Sequence, residues 1–239
     1  MSKFFIIVFV LMQINVAFAQ QGGGQPIGTW PPFTKWYQNP LGISPLSLHT
    51  SSGIIVPTAV AGVILLVTKN DPELSDRLSY YADFGYSRGY YGSFSNVSHQ
   101  NIGVNYMLKN YLSLGAEFSQ VYVFDDVNKT YGLGVRPFFR FYPVHKENFQ
   151  LYFQSGAGLL LFAKNFPQPS GFFGDHREGT QLNGSPKYGI GGEFKISEKW
   201  NINAGIWHIH FSNGNAVGAE RNPGHDSNGF SFGVSYKMR

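Results

Sequence analysis

Between Trp207 and Ser227 the chain reads WHIHFSNGNAVGAERNPGHDS. A serine hydroxyl is a weak nucleophile near neutral pH, and an imidazole that accepts its proton makes it competent. Ser212 and His210 lie two residues apart, so in an extended chain they share one face with their roots roughly 6–7 Å apart, within reach of each other in a suitable rotamer. A carboxylate must then orient the imidazole and stabilise its cationic form. Asp226 follows the Asn222-Pro223-Gly224 turn at the expected start of a returning strand, where it could meet His210; Glu220 in the same loop is the competing acid. His208 shares the face of His210 and reads as a rim histidine or a partner for a substrate phosphate, while His225 reads as a solvated turn residue. A metal held by His208, His210 and Asp226 would leave Ser212 without a role, so the expectation is a serine esterase with no cofactor and no metal.

These residues need a strand beneath them, and the sequence supplies eight. From Leu78 onward, segments of about ten residues alternate apolar and small or polar side chains, the pattern of transmembrane barrel strands. Tyr80, Ala82, Phe84 and Tyr86 alternate with Ser79, Asp83, Gly85 and Ser87; Tyr131, Leu133, Val135, Phe139 and Phe141 alternate with Gly132, Gly134, Arg136 and Arg140. The fifth segment, QLYFQSGAGLLLFA, alternates less cleanly, and the last is GFSFGVSYK. The expected fold is all-β: an eight-stranded antiparallel transmembrane β-barrel of outer-membrane type, with the charged residues Arg136, Arg140, Lys187, Glu193 and Lys195 inside. Long connections are expected from Lys164 to Pro186 and from Asn213 to His225, and short turns at the opposite end. A soluble lipocalin-like barrel, with the aromatic face turned inward, is the alternative. On the seventh strand Trp200, Ile202, Ala204 and Ile206 form the lipid-facing parity; an unbroken pleat places His208, His210 and Ser212 on the same outer face, and a bulge after Ile206 would turn them inward.

The chain opens MSKFFIIVFVLMQINVAFAQ, a lysine, an apolar run and an Ala-x-Ala site, which reads as a secretory signal peptide over residues 1–19. Residues 20–77 form an N-terminal extension of unassigned role, including the apolar run GIIVPTAVAGVILLVT, and residues 78–239 form the barrel. With no cysteine in 239 residues, disulfide-stapled secreted scaffolds are excluded. Only 13% of residues are charged against about 25% in ordinary soluble domains, so part of the surface does not face water. The formal net charge of +4 is too small to imply nucleic acid.

The string HFSNG, then NPGHDS, then a terminal alternating strand resembles the lipid A 3-O-deacylase family of small outer-membrane barrels. The resemblance implies removal of an ester-linked acyl chain, at the 3-O position, from lipid A of lipopolysaccharide, with the site facing the outer leaflet. It implies Ser212 as nucleophile, His210 as base, Asp226 as acid in a place where the family pattern favours Glu, and Asn213 as oxyanion donor. The expected partners are lipopolysaccharide and outer-membrane lipids, with the oligomeric state left open, a homodimer included. Two rival readings are an outer-membrane phospholipase A, which also carries an H-x-S-N-G string, and a non-catalytic structural barrel.

Overall fold

The computed structural model describes residues 77–91, 93–169, 175–214 and 216–238. The expected leader and N-terminal extension lie outside the described residues. Eight antiparallel strands follow one another: β1 (Leu78–Tyr91), β2 (Asn96–Lys109), β3 (Leu112–Phe124), β4 (Lys129–His145), β5, β6, β7 (Trp200–Phe211) and β8 (His225–Met238). Strand β5 runs in two segments, Phe149–Gly156 and Leu159–Phe166, both laddered to β4. Strand β6 likewise runs as Thr180–Gly184 and Lys187–Lys195, both laddered to β5. Each strand pairs with the next, and β1 pairs with β8, which closes the barrel; only the upper segment of β6, Thr180–Gly184, is laddered on one side and meets the strand after it at a single bridge, Gly184 to Ser212.

The interruptions fall where the alternation fails. Gly156-Ala157-Gly158 breaks β5, which accounts for the uneven fifth segment, and Ser185-Pro186 breaks β6, where proline has no N–H for a ladder. The long connection between β5 and β6 is therefore 167–179, shorter than the sequence suggests, because Thr180–Gly184 extends the sixth strand toward it. At one end the connections span only 110–111, 146–148 and 196–199; at the other are 92–95, 125–128 and the two long loops, 167–179 and 212–224.

Along the middle of each strand, burial follows parity. Phe84, Ile102, Phe118, Leu133, Ile202 and Phe232 are exposed outward, while their neighbours point into a packed interior. The buried charges of Glu117, Arg136, Lys187, Arg140 and Glu193 there are paired, as a low-dielectric interior favours. Glu117 accepts from Arg136, from the Tyr81 hydroxyl at 2.5 Å and from Lys187 Nζ at 3.3 Å. Arg140 donates to Glu193 at 2.9 Å and to Gln154 at 2.8 Å, with its guanidinium 4.3 Å from the Tyr152 ring centre. Inward Gly103 and Gly191 leave the space that the Tyr81 and Tyr152 rings fill, since a Cβ at either would overlap the ring. Lys195 departs from the expected network: it meets Glu147 at 2.9 Å on the short-turn rim.

Toward the long loops the interior turns apolar. Val97, Val121, Val123, Leu160, Phe162, Phe166, Ile209 and Phe211 are all buried there. Phe162 meets Phe211 edge to face at 5.4 Å, and Phe211 stacks on His225 at 5.4 Å. His225 is thus no solvated turn residue: it opens β8 on the inward parity, fully buried, with Nδ1 2.7 Å from Ser93 Oγ.

Candidate active site

The β7–β8 ladder runs from Trp200↔Tyr236 to Phe211↔His225 without a register shift. No bulge intervenes, so His208 and His210 keep the outward parity of Ile202 and Ile206. An isolated bridge between Ser212 and Gly184 carries the same pleat one step further, with Gly184 N–H donating to Ser212 O at 2.7 Å. The His210 N–H donates to Pro186 O at 3.0 Å, so the break in β6 lies beside His210.

The register sets Asp226 directly opposite His210 and Asn228 directly opposite His208. His210 Nδ1 is 2.7 Å from Asp226 Oδ1. An ionised carboxylate only accepts, so Nδ1 carries the proton and Nε2 keeps its lone pair as a base. Tyr90 from β1 and Tyr188 from β6 complete the patch: the Tyr90 hydroxyl is 3.3 Å from His208 Nδ1, and the Tyr188 ring lies 4.7 Å from the His208 ring. Every member sits on the outer wall by parity, yet His208, Asp226, Asn228 and Tyr188 are buried, because they cover one another. Polar groups facing hydrocarbon are stable only when they satisfy each other in this way.

Ser212 sits just past the end of β7. Its hydroxyl donates to Asn222 Oδ1 at 2.9 Å and accepts from Gly214 N–H at 3.0 Å. The Asn213 backbone N–H reaches the same Asn222 oxygen at 3.2 Å, while its side-chain amide donates to Arg221 O at 2.6 Å and Thr180 Oγ1 at 3.2 Å. Arg177 donates to Asn222 O at 3.2 Å, which ties the two long loops together above the site. Gly224 adopts φ +71°, a left-handed turn that feeds the chain into β8, and a Cβ there would lie 3.9 Å from the His210 ring. Glu220 stands on the exposed 3₁₀ turn Ala219–Arg221, its carboxylate folded over Gly218.

The structure therefore brings His210 and Asp226 into contact and sets Ser212 next on the same face. Trp207 and Phe211 face inward and are buried, while Phe230 is exposed on the wall. Tyr90, Tyr188 and Asn228 join the site without a motif in the sequence to mark them. Their one signal is parity, for each continues the outward face of its strand with a polar group. Among the described residues no group of three His, Cys, Asp or Glu could hold a metal ion.

The closed barrel and the polar cluster on its outward face define a class, an outer-membrane barrel with a candidate site on its wall. The family described as "Lipid A 3-O-deacylase (PagL)" matches residues 122–235, which hold β4 to β7, most of β8 and every member of the cluster except Tyr90. Among solved structures, the outer membrane enzyme PagL aligns at 16% identity, over 63% of this chain and 97% of that one, with a TM-score of 0.48. Neisserial surface protein A aligns at 11% identity, over 67% and 97%, with a TM-score of 0.52, a likeness that speaks for the fold alone. No curated protein sequence matches the chain. Over residues 122–235, a little under half of the chain, the protein is similar to this lipid A 3-O-deacylase family.

Proposed function

We propose that the protein is a serine esterase that cleaves the 3-O-linked acyl chain of lipid A from the outer face of the barrel wall. The observation that carries this reading is the 2.7 Å contact between His210 Nδ1 and Asp226 Oδ1, with Ser212 the next residue on the same face. In this mechanism the Ser212 hydroxyl turns from Asn222 toward His210 as the ester enters, a tightening common to sites without substrate. Oγ attacks the acyl carbonyl carbon while His210 Nε2 takes the hydroxyl proton. The oxyanion is stabilised by Asn213, through the backbone N–H that in the free protein rests on Asn222 Oδ1. Collapse breaks the bond to the sugar oxygen, which leaves with the proton from His210. Water then attacks the acyl-enzyme, giving its proton to His210, and a fatty acid departs as Ser212 regains its hydrogen. Asp226 stays ionised throughout and holds the imidazolium.

The long-loop end of an outer-membrane barrel ordinarily faces the exterior, which supports a site at the outer leaflet. A site on the wall lets the acyl chain remain in hydrocarbon while only its ester reaches the serine. The test is release of fatty acid by the purified full chain from lipid A micelles and, separately, from phosphatidylethanolamine vesicles. A 3-hydroxy fatty acid from lipid A alone is expected. Release from the phospholipid alone would support the phospholipase reading instead, and release from neither would support a structural barrel.

A further inference from the structure

Asp226 carries more than one imidazole. Its Oδ1 lies 2.7 Å from His210 Nδ1 and 3.2 Å from His208 Nε2. The serine mechanism uses the first and gives the second nothing to do. His208 cannot meet a substrate itself: it is 2% exposed, beneath the rings of Tyr188 at 4.7 Å and Tyr90 at 6.0 Å.

The proton on His208 can be placed from its neighbours. A bare Nε2 lone pair held 3.2 Å from a carboxylate oxygen would be repelled, whereas an N–H is attracted even where the angle falls short of an aligned hydrogen bond. Nε2 therefore carries a hydrogen. Nδ1, 3.3 Å from the Tyr90 hydroxyl and 2.9 Å from Asn228 Oδ1, donates to Asn228 in the cation; in the neutral ring it accepts from Tyr90, with the Asn228 amide turned to present its NH2. Both arrangements leave Nε2–H on Asp226.

Resting on the serine-esterase reading, we infer that His208 is a positioning residue that holds the Asp226 carboxylate through the same oxygen that meets His210, extending the relay to Tyr90 and Asn228. An N–H from each imidazole against one oxygen, the His210 one as a hydrogen bond and the His208 one as an electrostatic contact, fixes the carboxylate rotamer and keeps it ionised against the lipid-facing surroundings. That lowers the barrier to the reaction without touching lipid A.

The test compares His208→Asn and His208→Gln in the full chain, purified in detergent, with kcat and KM measured on lipid A micelles and folding followed by heat-modifiable migration on gels. Asparagine keeps a polar group near the Nδ1 position but does not reach Asp226; glutamine sets an amide N–H near the Nε2 position. His208→Asn is expected to lower kcat about tenfold, as the N–H attraction to the Asp226 charge is lost, with KM unchanged. His208→Gln is expected to recover most of that loss. Unchanged kcat in His208→Asn, or equal loss in both variants, would overturn the inference, because a residue that merely fills the patch would not distinguish the two amides. Should His208→Asn not reach the folded barrel, Asn228→Leu carries the same test: a lower kcat at constant KM supports the relay, and an unchanged kcat overturns it. Ser212→Ala in the same assay separates the two levels of the account. If it is inactive, the His208 result stands on its own; if it keeps full activity, the serine reading fails and this inference with it.

Discussion

The two ends of this barrel are built on opposite rules. In the half nearest the short turns, the wall is apolar and the interior is charged, with Arg136, Lys187 and Arg140 neutralised by Glu117 and Glu193. Near the long loops Val97, Val123, Phe162, Phe166 and Phe211 pack the interior beside the hydrogen-bonded His225, Ser93 and Ser227, and a further polar set stands on the wall, as His208, His210, Asp226 and Asn228. The strands do not change register across this boundary on β7 and β8. On β7 the sequence exchanges the two faces while the pleat continues; on β8 the inward His225 and Ser227 stay polar and are bonded by Ser93 and Ser87 of the barrel interior. A polar cluster can therefore be aimed at lipid without a bulge, provided that its members saturate one another and the interior behind them is packed.

Asp226 is where this comparison breaks most sharply. Asp226→Asn keeps the size of the side chain but lets His210 adopt the wrong tautomer, so kcat is expected to fall by about 10⁴-fold with the barrel still folded. Glu220→Gln, on the exposed turn, is expected to leave the rate unchanged; the reverse ranking in an acyl-release assay would move the acid to Glu220. A smaller effect is expected further along the same outward face of β8. Phe232→Lys sets an unpaired charge on the apolar wall, where no neighbour saturates it, and should lower stability by about 2–4 kcal/mol with little change in kcat for the folded fraction. Refolding titrations into lipid vesicles measure this, and an unchanged stability would mean that the wall at Phe232 is no more apolar than the wall at Asp226.

Much of this arrangement is legible in the sequence because strand parity is a local property. The alternation of Tyr131, Leu133 and Val135 with Gly132, Gly134 and Arg136 survives intact in the barrel, as does the outward parity of His208 and His210. The upper segment of β6 was not legible, since Thr180, Gln181 and Asn183 offer Leu182 as their single apolar outward residue. The burial of His225 was missed because the stacking face of Phe211 and the hydroxyl of Ser93 come from other strands. For the same reason the sequence points to His210 and Asp226, which one hairpin joins, but not to Tyr90 and Tyr188, which only barrel closure brings to His208.

The central claim is that Ser212, on the outer wall, is the nucleophile of a lipid A esterase. Mass spectrometry of lipid A from a Gram-negative host expressing the wild-type chain or Ser212→Ala tests it most directly. The account predicts loss of one 3-hydroxyacyl chain with the wild type and intact lipid A with Ser212→Ala, both barrels being folded in the outer membrane. Equal deacylation by the two proteins would contradict it.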